Sequence, residues 1–237
     1  MGFRNLHLRT FKLAGGGADT AEQYKRCQDG KNRFCICIVD SDRNFPGDRL
    51  KETASNVRAL DDEAQPLCLY LHTHGHELEN YIPTSWYSIV TEDDPSKRPA
   101  VEFLERLESS TAREARKFVD MKNGLLLAQI LEAAMKQPRG RTQDSFWLDL
   151  LAVLDEVADD RIALCLELQA CQNLSNCKCR VMVGFGKHVI DKVIDLLHNT
   201  HWRRLENGMC PDTRSDWEAL GGTVLAWCCG TQAMFAA

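Results

Sequence analysis

The chain has 237 residues, 44% of them hydrophobic and 27% charged, and 29 basic against 34 acidic side chains leave a net charge of −5. That length suits one large domain, or one domain with a substantial appendage, and the charge excludes a uniformly basic nucleic-acid coat. No run approaches the roughly 18 apolar residues of a membrane span, and the opening stretch with Arg4, His7, Arg9 and Lys12 holds no apolar signal segment, so a cytoplasmic protein with no membrane partner is expected.

Leu6 to Leu13 alternates apolar and polar residues and predicts a short strand, stopped by Gly15-Gly16-Gly17. Asp19 is placed to cap a helix from Thr20 to about Gln28, with Glu22 in its first turn. Phe34 to Val39 is a continuous apolar run with β-branched residues, the pattern of a parallel strand covered on both faces. Pro46-Gly47-Asp48 opens a helix to about Leu60, and Leu67 to Leu71 predicts a second buried strand. Strand, helix, strand, helix, strand is the order of an α/β unit with right-handed crossovers.

From about Pro95 the period changes. Val101, Leu104 and Leu107 fall at helical spacing, as do Leu127, Ile130, Leu131 and Ala134, and then Phe146, Trp147, Leu150, Leu151, Leu154 and Val157. Residues 95–160 therefore read as helical, with a break at Pro138 and Gly140, and their apolar stripes read as core. Arg180 to Val183 predicts a strand, Gly184 to Lys187 a turn, Val189 to Leu197 a helix, and Trp217 to Cys229 a last helix.

Eleven cysteines are many for this length. The count is odd, so a complete internal disulfide framework is impossible, and without a secretory segment the thiols are expected to be reduced. Cys35, Cys37 and Cys68 lie inside apolar strands, where cysteine packs as a small hydrophobe. Cys165, Cys171, Cys177 and Cys179 lack the paired spacing of common structural zinc sites.

The residues with chemical promise gather at predicted strand ends. Asp40-Ser41-Asp42 follows the first buried strand. Strand alternation would point Asp40 and Asp42 the same way, at the edge where open α/β sheets bind ligands. Two close carboxylates repel unless a cation bridges them, and a hard divalent ion, Mg²⁺ or Mn²⁺, suits oxygen ligands. The same tripeptide also serves as a solvated turn. His76-Glu77-Leu78-Glu79-Asn80-Tyr81-Ile82-Pro83 follows the second strand and brings Glu77 or Glu79 to the same edge; those acids equally suit the start of a helix. His72, His74 and His76 alternate, but the aspartate expected of a zinc-hydrolase histidine run is absent, so His74 and His76 read as phosphate contacts, proton carriers or plain strand-end residues. Gly184-Phe185-Gly186-Lys187 lacks the spacing of a nucleotide phosphate loop.

Taken together, strand-Asp40-Ser41-Asp42, helix, strand and Glu77-Leu78-Glu79-Asn80-Tyr81-Ile82-Pro83 resemble the TOPRIM domain, most of all TOPRIM nucleases of the overcoming-lysogenization-defect type and related bacterial anti-phage effectors. The likeness covers residues 6–90 and returns at Arg180 to Leu197, where Lys187 is similar to a late lysine of those nucleases. It implies an α/β fold with a mostly parallel sheet flanked by helices: a core at 1–94, a helical insertion at 95–160, and a closing strand-helix segment at 161–237. It implies a metal-dependent nuclease with Mg²⁺ or Mn²⁺ held by Asp40, Asp42, Glu77 and Glu79, with Asp40, Asp42, Glu79 and Lys187 catalytic. It further implies nucleic acid as substrate and a protein partner, either an ATPase subunit or a second copy. The family's first strand, with its Val-Glu-Gly-like turn and helix, has no counterpart here. That leaves an open sheet edge near residues 6–13 and 34–39 for another chain, and a second reading as a non-catalytic subunit of a larger complex.

Overall fold

The computed structural model describes residues 17–29, 35–61, 67–128, 150, 180–198 and 207–228. The predicted strand at Leu6 to Leu13, the turn at Gly15 and Gly16, nearly all of the helical stripes after Leu127, and Cys165, Cys171, Cys177 and Cys179 lie outside them.

The first half is an α/β layer. Helix α1 (Gly17–Asp29), strand β1 (Cys35–Val39), helix α2 (Glu52–Ala59) and strand β2 (Cys68–His72) follow in order. The strands pair in parallel, from Cys35 against Cys68 to Val39 against His72. Side chains alternate along each strand, so the pair has two distinct faces. On one, Val39, Cys68 and Tyr70 pack with Tyr24 of α1 and Ala54 and Val57 of α2. On the other, Leu69, with Ile36 and Leu71, packs against Val224 and Trp227 of a late helix (Pro211–Cys228). Covering on both faces is what a continuous apolar strand requires.

Helix α2 starts at Glu52 rather than Pro46. Gly47 adopts φ 79° in a turn, closed by the Asp48 amide donating to the Phe45 carbonyl at 3.1 Å, and the Lys51 amide then donates to the Ser41 carbonyl at 3.2 Å, which holds Lys51 extended.

The second half is mainly helical. Short 3-10 segments at Leu78–Tyr81, Pro95–Lys97 and Arg113–Phe118 alternate with α3 (Thr84–Val90) and α4 (Arg98–Ser109). The predicted stripe of α4 is buried: Val101, Phe103, Leu104 and Leu107 face a core that also takes Tyr87, Phe185 and Val193. Residues 95–160 are not wholly helical, however. Strand β3 (Gly124–Leu126) lies among them and pairs antiparallel with β4 (Arg180–Val183). The chain enters β3 through an Asn123-Gly124 turn, where Gly124 has φ 86°, a conformation that ends helical periodicity. Helices α5 (Gly186–His198) and α6 (Pro211–Cys228) complete the order. The expectation of one mostly parallel sheet is corrected by this pairing: among the described residues there are two two-stranded sheets, one parallel and one antiparallel. The mixed α/β class itself holds, and no helix among the described residues is long and apolar enough to cross a membrane.

Candidate metal centre

The loops after β1 and β2 are fastened to each other, and this builds the site. Ser41 is fully buried. Its amide donates to Thr73 Oγ1 at 2.9 Å and its hydroxyl donates to the Gly75 carbonyl. The Asp42 amide donates to the His76 carbonyl at 2.8 Å. Gly75 has no room for a side chain, since a Cβ there would collide with the Lys117 carbonyl. That same carbonyl accepts the His76 amide at 2.6 Å. Serine between two aspartates is therefore the clamp of the loop, while the aspartates are its cargo.

The acidic segment after β2 is held from below by Arg116, which is 1% exposed. Its guanidinium donates to the carbonyls of Asn80 and Ile82 and pairs with Glu108 at 2.6 Å. Asn80 returns two hydrogen bonds, to the carbonyls of Arg116 and Val119 at 2.9 and 2.8 Å. The 3-10 turn Leu78–Tyr81 is thereby fixed, and with it the directions of Glu77 and Glu79.

Asp40 and Glu79 meet at this edge. Asp40 Oδ1 accepts the Leu78 amide at 2.8 Å. Burial pushes the Asp40 carboxyl up to about 6, the Glu79 charge adds to the rise, and the Leu78 hydrogen bond and Lys122 oppose it. Glu77 is buried, with one oxygen accepting the Met121 amide at 2.8 Å and the other accepting Lys122 Nζ at 2.9 Å. Burial and Glu79 push its carboxyl up as well. The Lys122 ammonium also reaches Glu79 at 2.9 Å. Burial alone would lower this ammonium, but its hydrogen bonds to Glu79 and Glu77 hold it above its ordinary value. The cation that bridges Glu77 and Glu79 is thus a lysine of the chain itself, from a Met121-Lys122-Asn123 turn that carries no motif. Its only sequence signal is a basic residue just ahead of a glycine turn.

A further cluster stands beside Glu77. One ligand atom each from His76, Glu77 and Asp120 lie within 4.8 Å of one another, with His76 Nε2 3.8 Å from Asp120 Oδ2. The other ring nitrogen, Nδ1, is 3.0 Å from the Arg43 carbonyl. A carbonyl only accepts, so Nδ1 carries the hydrogen and Nε2 is the nitrogen that faces Asp120. Metal-binding histidines are oriented in this way; the two carboxylates suit a hard ion such as Mn²⁺ or Mg²⁺, and the imidazole favours a transition metal, so Mn²⁺ fits this donor set better than Mg²⁺.

Of the predicted residues, Asp40, Glu77, Glu79 and His76 converge on this edge. Asp42 does not share a strand face with Asp40: β1 ends at Val39 and Asp42 adopts φ 51°, so strand alternation no longer applies, although its charge adds to the rise at Asp40. His74 turns away to α6, with Nδ1 3.2 Å from Asp216 Oδ1, and Asp216 is also held by Lys117 at 2.9 Å. Lys187 is exposed in the first turn of α5, about 10 Å along the axis from Ile194, the nearer of the two residues of that helix, Ile194 and Leu197, that line the cavity at the Asp40 edge. The ammonium beside Glu77 and Glu79 is that of Lys122.

Asp40 and Glu79 also form the charged end of a cavity of about 330 Å³, whose other walls are apolar and come from the 3-10 turn, α5, α6 and Met209. No protein-family model matches the chain, and no curated protein and no solved structure shows significant similarity to it.

Proposed function

We propose that the chain is a divalent-metal-dependent phosphodiesterase acting on nucleic acid, of the TOPRIM type suggested by its motifs. One observation carries this reading. Glu77 and Glu79 share the Lys122 ammonium, Asp120 adds its charge beside Glu77, and Asp40 stands against Glu79 and Asp42, where burial first and those charges second raise its carboxyl to about 6. A divalent cation relieves such an excess. His76, Glu77 and Asp120 supply one ligand set, and Asp40 and Glu79 carboxylates face it across Lys122.

A bound Mg²⁺ or Mn²⁺ would activate water and stabilise charge on the phosphoryl group. The chain's own part is positional. The Ser41 clamp and the Arg116 pedestal fix the carboxylates before substrate arrives. Lys122 is the ammonium closest to them and would pair with a non-bridging phosphate oxygen, the role the sequence pattern offered to Lys187. The same resemblance suggests a defence effector in the cytoplasm that works with a partner ATPase or with a second copy of itself.

The test is cleavage of plasmid DNA and of tRNA by the purified chain, with Mg²⁺, with Mn²⁺ and with chelator. Cleavage is expected only with metal, and Asp40→Ala and Asp120→Ala are expected to reduce it at least a hundredfold while circular dichroism stays unchanged. Full activity in Asp40→Ala, or activity in chelator, would overturn the reading.

A further inference from the structure

We propose that the cavity at the Asp40 edge binds a small organic cation, an amine carried on an apolar and preferably aromatic body. The proposal concerns the metal-free protein and needs only the cavity and the charge of its two carboxylates, Asp40 and Glu79.

The shape comes first. A volume of about 330 Å³ lies at the small end of ligand pockets and suits a single-ring molecule. Tyr81, Ile82, Ile194, Leu197, Met209 and Trp217 wall it, so the bulk of the occupant must be apolar. Tyr81 and Trp217 stand with ring centroids 6.0 Å apart, tilted by 47°, forming an aromatic corner that accepts either a ring edge or a cation against its faces.

The charge selects the other end of the molecule. The charged groups of the wall are the two carboxylates, Asp40 and Glu79. Glu79 already has the Lys122 ammonium at 2.9 Å. Among the described residues the hydrogen-bond donor to Asp40 is the Leu78 amide, which fixes its direction without neutralising it. The charged and titratable groups around it are Asp42 on its own loop, Glu79 and Tyr81 on the 3-10 turn, and Lys122 ahead of β3; α5 and α6 face the cavity with Ile194, Leu197 and Trp217. Asp216, next to Trp217, is already paired with His74 and Lys117. A carboxylate in an apolar wall repels an anion and accepts at most a hydrogen bond from a neutral hydroxyl, whereas an ammonium both donates to it and neutralises its charge. Charge complementarity and apolar bulk together therefore define the occupant.

The experiment is calorimetric titration of metal-free protein with three probes of one shape: 2-phenylethylamine, 2-phenylethanol and 3-phenylpropionate. At pH 8 the amine is expected to bind at least tenfold more tightly than the alcohol, and the acid not at all. Asp40→Asn is expected to bring amine and alcohol to equal affinity. Trp217→Ala is expected to weaken both. If Asp40→Asn does not fold, the ranking of amine, alcohol and acid on wild-type protein at pH 8 decides the proposal by itself. Equal affinity for amine and alcohol in the wild type at pH 8, or no binding of any probe, overturns the proposal. No nucleic acid or metal is present, so failure here is distinct from failure of the hydrolysis reading.

Discussion

The same two strands carry two clusters of like residues, and the structure treats them in opposite ways. At the carboxyl ends of β1 and β2, carboxylates crowd one edge. On the helix-covered face of the same pair, Cys35, Cys37 and Cys68 pack with Cys27 of α1. Burial raises the titration of both groups. At the edge it carries the Asp40 carboxyl to about 6, close to working pH, where a bound cation or a proton can switch it. On the face it carries Cys35 to about 12 and Cys37 to about 11, far from working pH, where nothing switches. A cluster of acids needs a counter-charge and so points to chemistry; a cluster of neutral thiols needs only neighbours.

The largest expected break in this contrast comes from Lys122→Met. The exchange removes the ammonium that bridges Glu77 and Glu79 and leaves two mostly buried carboxylates facing each other. Breaking a buried pair from one side costs about 3–5 kcal/mol. Lys122 is 38% exposed, so solvent screening brings the expected loss to about 3 kcal/mol at pH 8, read from urea unfolding. The Glu77 carboxyl is raised in the fold, so it takes up a proton more readily there than in the unfolded chain. Protonation relieves the repulsion, and the variant is expected to recover stability as pH falls, the reverse of a general acid denaturation. A loss that stays constant with pH would show that Lys122 contributes packing and not charge.

Much of this edge was legible in the sequence. The apolar runs at 34–39 and 67–71 announced β1 and β2, and the acidic segments after them announced where carboxylates would gather. The local pattern did not reveal the residues that make the edge work. Lys122 lies 45 residues from Glu77, and Arg116 lies 36 residues from Asn80; no local periodicity connects them. Asp42 was read by strand alternation, which stopped at Val39. Strand β3 is three residues long, too short to interrupt a helical stripe in sequence, and its partner β4 follows only at Arg180. Serine at 41 and glycine at 75 carry meaning only after the two loops meet.

Asp40→Asn sharpens the contrast from the other side, with a gain. The folded Asp40 carboxyl titrates near 6, against 3.8 for an ordinary aspartate. Between those values the folded state holds the extra proton, so stability falls as pH rises through this window, and the deficit is complete above about 6. A shift of about two units corresponds to about 3 kcal/mol; a partly exposed group realises less, so about 2 kcal/mol of added stability is expected for Asp40→Asn at pH 8. Below about pH 4 wild type and variant are expected to unfold at the same urea concentration. A variant less stable than wild type at pH 8 would mean that the Leu78 hydrogen bond to the charged carboxylate outweighs its burial.

The smallest effect belongs to the thiol face. Cys27, Cys35, Cys37, Cys68, Cys210 and Cys228 are all free, and Cys228 is exposed. The attacking species in thiol chemistry is the thiolate, and a thiol titrating near 12 is ionised to about one part in ten thousand at pH 8. With N-ethylmaleimide at that pH, Cys228 is expected to label within minutes in native protein, whereas Cys35, Cys37 and Cys68 wait for unfolding. Mass spectrometry of unreduced native protein is expected to find no internal disulfide among the described cysteines. Cys35→Ala removes one sulfur from a half-buried position and is expected to cost about 1 kcal/mol or less. Cys35 also hydrogen-bonds to Cys27, which makes this the arm most able to end the contrast. A stoichiometric Cys27–Cys35 disulfide, or labelling of Cys35 as fast as Cys228, would turn the face from packing into a redox element tying α1 to β1. Both clusters on these two strands would then be chemical, one responding to cations and protons and the other to oxidants.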